Sequence, residues 1–340
     1  MKKRVPTYII TGFLGSGKTT VLQHLLNYCR ENKLKPAIVI NEIGETNVEE
    51  HLFKDDHVLE MLNGCICCSI QSDFTKELHT FITSLSDNAV PDIILIEGTG
   101  IANPIEIVDA LTDPLLIDKI DLFSVINVID GSKYLEYQSI FSSTREVRSI
   151  LKSQISISSF IILNKMDLIN HKYTDKTRRK VEELKKGNTP VIETSYGEVN
   201  IQEMLEKRVQ IHRSHDKMNL LSSRKCGCNH NHTCDQHAKV HHNHSFQAIK
   251  IDINRPIDRI DFEKWLKKLP KTMVRGKGIV NLTETAGLFQ FQYSSNQLNM
   301  MRVKEDLNTE PCLILIGVDL DSKAIEKSFY EKFIKKERLT

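Results

Sequence analysis

Eight residues near the N-terminus, Gly12-Phe13-Leu14-Gly15-Ser16-Gly17-Lys18-Thr19, follow the spacing G-x-x-x-x-G-K-T. Those residue types at that spacing can wrap a phosphate chain. Gly12, Gly15 and Gly17 let the backbone curl so that successive N–H groups, including that of Ser16, point at phosphate oxygens with no Cβ in the way. Lys18 supplies a point charge for β- and γ-phosphates, and the Thr19 hydroxyl, with Thr20 beside it, can reach Mg2+. A helix beginning there would add its positive dipole end.

Further along, Asn164-Lys165-Met166-Asp167 has the pattern N-K-x-D by which guanine is read. A carboxylate at Asp167 accepts from N1–H and the 2-amino group, which adenine cannot offer, so GTP is expected over ATP. Asn41-Glu42-Ile43-Gly44-Glu45 and Glu97-Gly98-Thr99-Gly100 offer acids at strand ends. Glu97 occupies the Walker B position, where an acid holds Mg2+ directly or through water. Gly100 can give its N–H to a γ-phosphate and release it after hydrolysis, which makes residues 98–104 a switch. Glu42 or Glu45 would orient the attacking water, with Glu42 expected over Glu45.

Two thiol-rich groups suggest a second chemistry. Gly64-Cys65-Ile66-Cys67-Cys68 places three thiols in four residues, suited to a soft or borderline ion such as Zn2+ or Cu(I). Three thiols leave a tetrahedral site incomplete, and the fourth ligand must be Glu42 or Glu49, a histidine or water. An exchangeable position is what a carrier needs. The second group holds Cys226, Cys228, His230, His232, Cys234 and His237, then His241, His242 and His244, with no zinc-finger spacing. It reads as a flexible tract that captures metal and feeds the first site. Cys29 and Cys312 stand alone in apolar surroundings and are expected in the core.

Positioning these groups requires a scaffold of alternating elements. Residues 8–11, 37–41, 58–62, 93–97, 124–130, 160–164 and 191–194 are apolar runs that predict strands buried on both faces. Residues 19–32, 73–85, 144–154, 174–186 and 201–208 predict helices between them. The alternation implies an α/β fold, a doubly wound, mostly parallel sheet over residues 1–211. Residues 212–245 lose apolar periodicity and form a His/Cys-rich linker. Residues 246–340 predict a smaller α+β domain, with strands at 248–253, 278–282, 288–293 and 312–320 and helices at 257–269 and 324–334.

Thr11 through Thr19, Asn41 through Glu45, Asn63-Gly64-Cys65-Ile66-Cys67-Cys68 and Glu97 through Pro104 together resemble the CobW-type metallochaperone GTPases. The resemblance spans almost the whole chain, and Cys-x-Cys-Cys between P-loop and Walker B acid is that family's hallmark. It implies a GTP-hydrolysing protein whose metal site at Cys65, Cys67 and Cys68 is coupled to the nucleotide state. It also implies a metalloprotein client, and zinc as the usual ion where a histidine-rich tract is present. Other members serve cobalamin synthesis or nitrile hydratase assembly, which leaves Co2+ or Fe2+ as alternatives; a metal buffer or sensor whose GTP site is regulatory and whose turnover is negligible is the other alternative. Two positions depart from the family: Asn103 stands where Asp usually precedes the switch proline, which puts any role for it in doubt, and Glu49 replaces the usual Asp.

Composition narrows the rest. The 340 residues carry a net charge of +2, with 40% hydrophobic and 26% charged residues, which gives no reason to expect nucleic acid or an anionic membrane as partner. The longest apolar runs fall short of the roughly 18–20 residues that span a bilayer. Met1-Lys2-Lys3-Arg4 followed by apolar residues imitates a secretory signal, but Gly12, Gly15 and Gly17 break that stretch and it ends on Lys18. Tight cysteine clusters in a chain of this kind favour metal over disulfides, consistent with a cytoplasmic protein. The sequence leaves self-association open.

Overall fold

Seven apolar runs become seven strands of one parallel sheet, whose central strands are buried by helices of the opposite period. The structure, a computed structural model, describes residues 4–40, 57–60, 71–86, 89–101, 103–214, 246–303 and 310–334. Two compact units divide the chain, Met1–Gln210 and Ile211–Thr340.

In the first unit, β1 (Val5–Thr11) leads into α1 (Lys18–Glu31), then β2 (Pro36–Ile40), β3 (His57–Glu60), α2 (Gln71–Ser84), β4 (Ile93–Glu97) and α3 (Pro104–Leu111). There follow β5 (Ile120–Asp130), α4 (Tyr134–Gln138), α5 (Arg145–Ile157), β6 (Phe160–Asn164), α6 (His171–Leu184), β7 (Val191–Glu193) and α7 (Ile201–Met204). The strands run in the order β3-β2-β4-β1-β5-β6-β7. The chain adds β4 on one side of β1 and β5 on the other, so the order reverses at β1. Ligands of open α/β sheets gather at the carboxyl end of such a point. Register brings Ile10 opposite Glu97, Thr11 opposite Asn127, and Asp130 opposite Asn164, which lines up the functional strand ends.

Both faces are covered. On one, Val21, Leu22, Leu25, Leu26 and Cys29 of α1, spaced along a single helical stripe, pack on Tyr8, Ile10, Ile38, Leu95, Ile126, Val128 and Ile162. On the other, Tyr134, Ile155 and Val181 pack on Ile129, Ile161 and Leu163. Fully burying such an aliphatic side chain stabilises by about 1.5–3 kcal/mol. Cys29 and Cys312 are both buried, as expected. The doubly wound sheet matches the expectation in its strands. Two helices were not foreseen, α3 and α4. Helix α3 has a readable start: Asn103 accepts from Ile105 N–H at its N-terminus and Pro104 takes the first turn.

In the second unit, β8 (Gln210–Arg213), β9 (Phe246–Asp252), α8 (Arg259–Leu266), β10 (Met273–Asn281), β11 (Leu288–Ser294), β12 (Gln297–Arg302), β13 (Cys312–Val318) and α9 (Ser322–Phe329) are seen. Their sheet has the order β12-β11-β10-β13-β9-β8. Helices α8 and α9 lay Phe262, Trp265 and Phe329 against Ile249, Ile251, Phe291, Leu313 and Leu315. Trp265 Nε1 donates to Ser328 Oγ at 3.1 Å, joining the two helices. Two strands were not foreseen: β8, whose last two residues fall in the stretch expected to be linker, and β12, an edge strand of QLNMMR without the β-branched residues that announce a strand. It pairs with β11 across a two-residue turn in which Ser295 and Asn296 both have positive φ, the hairpin geometry that suits the twist of the sheet.

Candidate functional site

The phosphate loop follows β1 and ends where α1 begins. Gly17 caps α1 in the left-handed region at φ 103°, and a Cβ there would lie 2.5 Å from Asn164 Nδ2. Only glycine serves both demands. Ser16 Oγ is buried, and among the described residues it finds no hydrogen-bond partner. A buried hydroxyl left unpaired costs about 1–3 kcal/mol, and an anion seated in the loop would relieve that cost. Lys18, also buried, folds back toward the Phe13 carbonyl at 3.4 Å. Thr19 Oγ1 donates to Glu97 Oε1 at 3.3 Å, so a hydroxyl and a carboxylate from β1–α1 and β4 converge at the loop's edge. Two oxygen donors in that arrangement suit a hard cation such as Mg2+. Thr20 lies one residue deeper in α1, facing Gly197.

The switch residues sit against the same loop. Gly98 N–H bonds the Ile10 carbonyl at 2.9 Å. A Cβ on Gly100 would lie 2.7 Å from Leu14 N, so the two backbones touch. Helix α5 holds this segment from behind. Gln154 Nε2 donates to the Gly100 carbonyl at 3.4 Å, and Ser153 Oγ donates to Asn103 Oδ1 at 2.8 Å. Asn103 therefore has a definite role: its single oxygen caps α3 and receives Ser153, a job an aspartate oxygen would do equally.

The base-reading motif is tied directly to the phosphate loop. Asn164 Nδ2 donates to the Ser16 carbonyl at 2.9 Å, and its Oδ1 accepts from Gly197 N–H at 2.9 Å. Lys165, in the left-handed region at φ 60°, stretches its Nζ to the Gly15 carbonyl at 2.5 Å. Asp167 is exposed, with its N–H held by Ser195 Oγ at 3.1 Å. The structure thus brings Gly12, Gly15, Ser16, Gly17, Lys18, Thr19, Glu97, Gly100, Asn164, Lys165 and Asp167 to one end of the sheet.

Sequence reasoning passed over two participants. Ser195-Tyr196-Gly197, the loop after β7, closes behind Asn164 and Asp167, and His24 Nδ1 of α1 lies 3.1 Å from the Gly197 carbonyl. Asp130, at the end of β5, pairs with Lys165 at 2.9 Å. Both had a signal, namely polar residues at the carboxyl ends of predicted strands. Glu42, Glu45 and Glu49, the thiols Cys65, Cys67 and Cys68, and the tract Cys226, Cys228, His230, His232, Cys234, His237, His241, His242 and His244 lie outside the described residues. Among the described residues no helix is long and apolar enough to cross a membrane.

The chain matches two family models: "CobW/HypB/UreG, nucleotide-binding domain" over residues 6–193, and "Cobalamin synthesis protein cobW C-terminal domain" over residues 246–331. It is similar to Zinc-regulated GTPase metalloprotein activator 1 of Dictyostelium discoideum, 31% identical over 201 residues, covering 49% of this chain and 41% of that protein. It is similar to Zinc chaperone CobW of Sinorhizobium sp, 27% identical over 219 residues, covering 58% of this chain and 60% of that one. Those two alignments therefore span less than two thirds of the relatives' own lengths. Zinc chaperone YjiA of Escherichia coli (strain K12) is 29% identical over 343 residues, covering 94% of this chain and 96% of the relative. With its phosphate loop, its converging Thr19 and Glu97 and its Asn164-tethered base motif inside the first matched region, the chain belongs to the CobW/HypB/UreG family.

Proposed function

We propose that this protein is a GTP-hydrolysing metal chaperone that carries zinc to a metalloprotein client in the cytoplasm. The observation that carries the nucleotide half is the pair of side-chain ties, Asn164 to Ser16 and Lys165 to Gly15, which hold a guanine-reading motif at a fixed distance from a phosphate loop. The metal half is supported by the thiol cluster and by relatives named for zinc.

In this reading the backbone of Gly12–Thr19 and the Lys18 ammonium cradle the phosphates, while Asp167 reads N1–H and the 2-amino group. Thr19 and Glu97 would hold Mg2+, which when bound neutralises charge on the β- and γ-phosphate oxygens. Glu42 orients water for attack on the γ-phosphorus, and Gly100 N–H meets the γ-phosphate. Cys65, Cys67 and Cys68, with Glu42 or Glu49, hold the ion to be delivered. Residues 212–245 gather metal ahead of that site, and residues 246–340 form the CobW-like domain.

Ordering of the switch by GTP would alter the thiolate site, and coupling between two binding equilibria is reciprocal. The test is a Zn2+ titration of the reduced, untagged protein with GDP and with a non-hydrolysable GTP analogue. Affinities at least fivefold apart are expected, and Cys65→Ala with Cys67→Ala should abolish the tight site. Equal affinities in the two nucleotide states would remove the coupling, and elemental analysis returning cobalt or iron would reassign the cargo.

A further inference from the structure

The carboxylate of Asp130 is built into the site more firmly than its place beside the base motif requires. Its Oδ1 accepts three hydrogen bonds from the turn that follows β5: Ser132 N–H at 3.0 Å, Ser132 Oγ at 2.6 Å and Lys133 N–H at 3.2 Å. That turn is itself stitched to the base motif, with Gly131 N–H on the Asn164 carbonyl at 2.8 Å. With Oδ1 so occupied, Oδ2 is left directed at Lys165 Nζ, 2.9 Å away. The same ammonium reaches the Gly15 carbonyl, so Lys165 is stretched taut between the base motif, the phosphate loop and β5.

We propose that Asp130 is a positioning residue for the guanine nucleotide, acting through Lys165. An exposed ion pair contributes little, because water screens both charges. The Asp130 side chain is only 10% exposed and Lys165 31%, and the contact bridges three separate loops. Its consequence is geometric. A lysine stem held straight offers an apolar shelf along which a base can lie, beside the carboxylate that reads it. Without Asp130, the ammonium of Lys165 is drawn toward the triphosphate, the nearest concentrated negative charge, and the stem leaves the shelf. The effect falls on binding common to ground and transition states, so it raises KM and leaves kcat alone.

The inference rests on the guanine-nucleotide reading above, and the experiment separates the two. GDP, GTP-analogue and ADP affinities are measured by calorimetry on the full chain for wild type, Asp130→Asn, Lys165→Ala and the double variant, with steady-state GTP hydrolysis alongside. Asparagine keeps the Oδ1 acceptor that the turn uses and turns an amide donor toward Lys165. Asp130→Asn is expected to weaken GDP and GTP-analogue binding alike by about tenfold, with kcat at saturation unchanged. The double variant is expected to bind no worse than Lys165→Ala alone, because the two residues act as one. Wild-type affinity in Asp130→Asn, or losses that multiply in the double variant, would overturn the proposal. A wild-type protein that prefers ADP overturns the guanine reading instead. Should Asp130→Asn fail to fold, Lys165→Met carries the test: it keeps the stem but not the ammonium, and wild-type binding by that variant sinks the proposal.

Discussion

Gly100 is where one atom decides between two arrangements. A Cβ placed there would meet Leu14 N at 2.7 Å and Leu14 Cγ at 2.7 Å. The side-chain carbon can rotate away, but the backbone nitrogen belongs to the phosphate loop and cannot yield without moving it. Gly100→Ala must therefore separate switch from loop. The expected outcome is a fall in single-turnover GTP hydrolysis of about 10²-fold, the usual cost of losing one donor aimed at developing charge. GDP affinity, which does not use the γ-phosphate position, should stay within about threefold. Loss of both together would mean that the loop itself had collapsed, and that Gly100 is a packing residue rather than a switch. The residue was legible in the sequence because a glycine three places after a strand-end acid suits a γ-phosphate contact. Its partner Gln154 was not, since a glutamine inside an amphipathic helix looks like any other solvated position until the fold buries it.

Elements hold these residues in place through a few long-range ties, and β1 with α7 gives the clearest case. Tyr8 is buried on β1, and its phenol donates to the Leu205 carbonyl at 2.7 Å, just past the end of α7. Burial pushes the phenol well above its ordinary value near 10, with Arg208 opposing and Cys29 and Asp121 assisting. The folded state thus holds the phenolic proton more tightly than the unfolded chain does. The stability this supplies is complete below a pH of about 10 and is lost as pH rises through the raised value. Tyr8→Phe should cost about 1 kcal/mol at neutral pH, the worth of the lost hydrogen bond and of the carbonyl left behind. Above a pH of about 10 the gap to wild type should narrow, because phenylalanine cannot ionise. Urea midpoints at pH 7 and pH 10.5 check both statements, and a constant gap would locate the alkaline loss elsewhere, Tyr134 and Tyr293 being further buried phenols pushed up by burial. At this scale the sequence was read most fully. Strands such as Ile93–Glu97 announce themselves by unbroken apolar runs, and α1 by its stripe. What escaped were elements whose identity depends on partners: α3, eight residues behind an Asn-Pro start; the short α4; and the edge strands β8 and β12, the latter stabilised by pairing with β11 rather than by its own composition. The base-closing loop Ser195–Gly197 offered only polar residues after a predicted strand, and its function shows in the hydrogen bonds that Asn164 and Asp167 make to it.

Among the described residues each of the two units has buried hydrophobic clusters of its own, and one natural probe reports on the second unit. Every nucleotide-contacting group proposed here among the described residues belongs to the first unit, whose core packs α1 and α5 against the parallel sheet. The chain's single tryptophan, Trp265, is buried in the core of the second unit among Phe262, Phe329 and Phe333. A ligand stabilises only the structure that binds it, by RT ln(1 + [L]/Kd), about 2.7 kcal/mol at a hundredfold excess over Kd. For a unit of 210 residues, Met1–Gln210, that amounts to a rise of about 5–10 °C in its midpoint. GDP with Mg2+ should therefore raise the melting midpoint followed by far-ultraviolet circular dichroism, in which the larger unit dominates. The midpoint followed by Trp265 fluorescence should move by less than about 1 °C. Two units that melt apart would make the second an independently stable module. Should Trp265 move upward in step with the dichroism signal, the two units unfold as one cooperative body, and the stability of each would then be a property of the whole chain rather than of its own core.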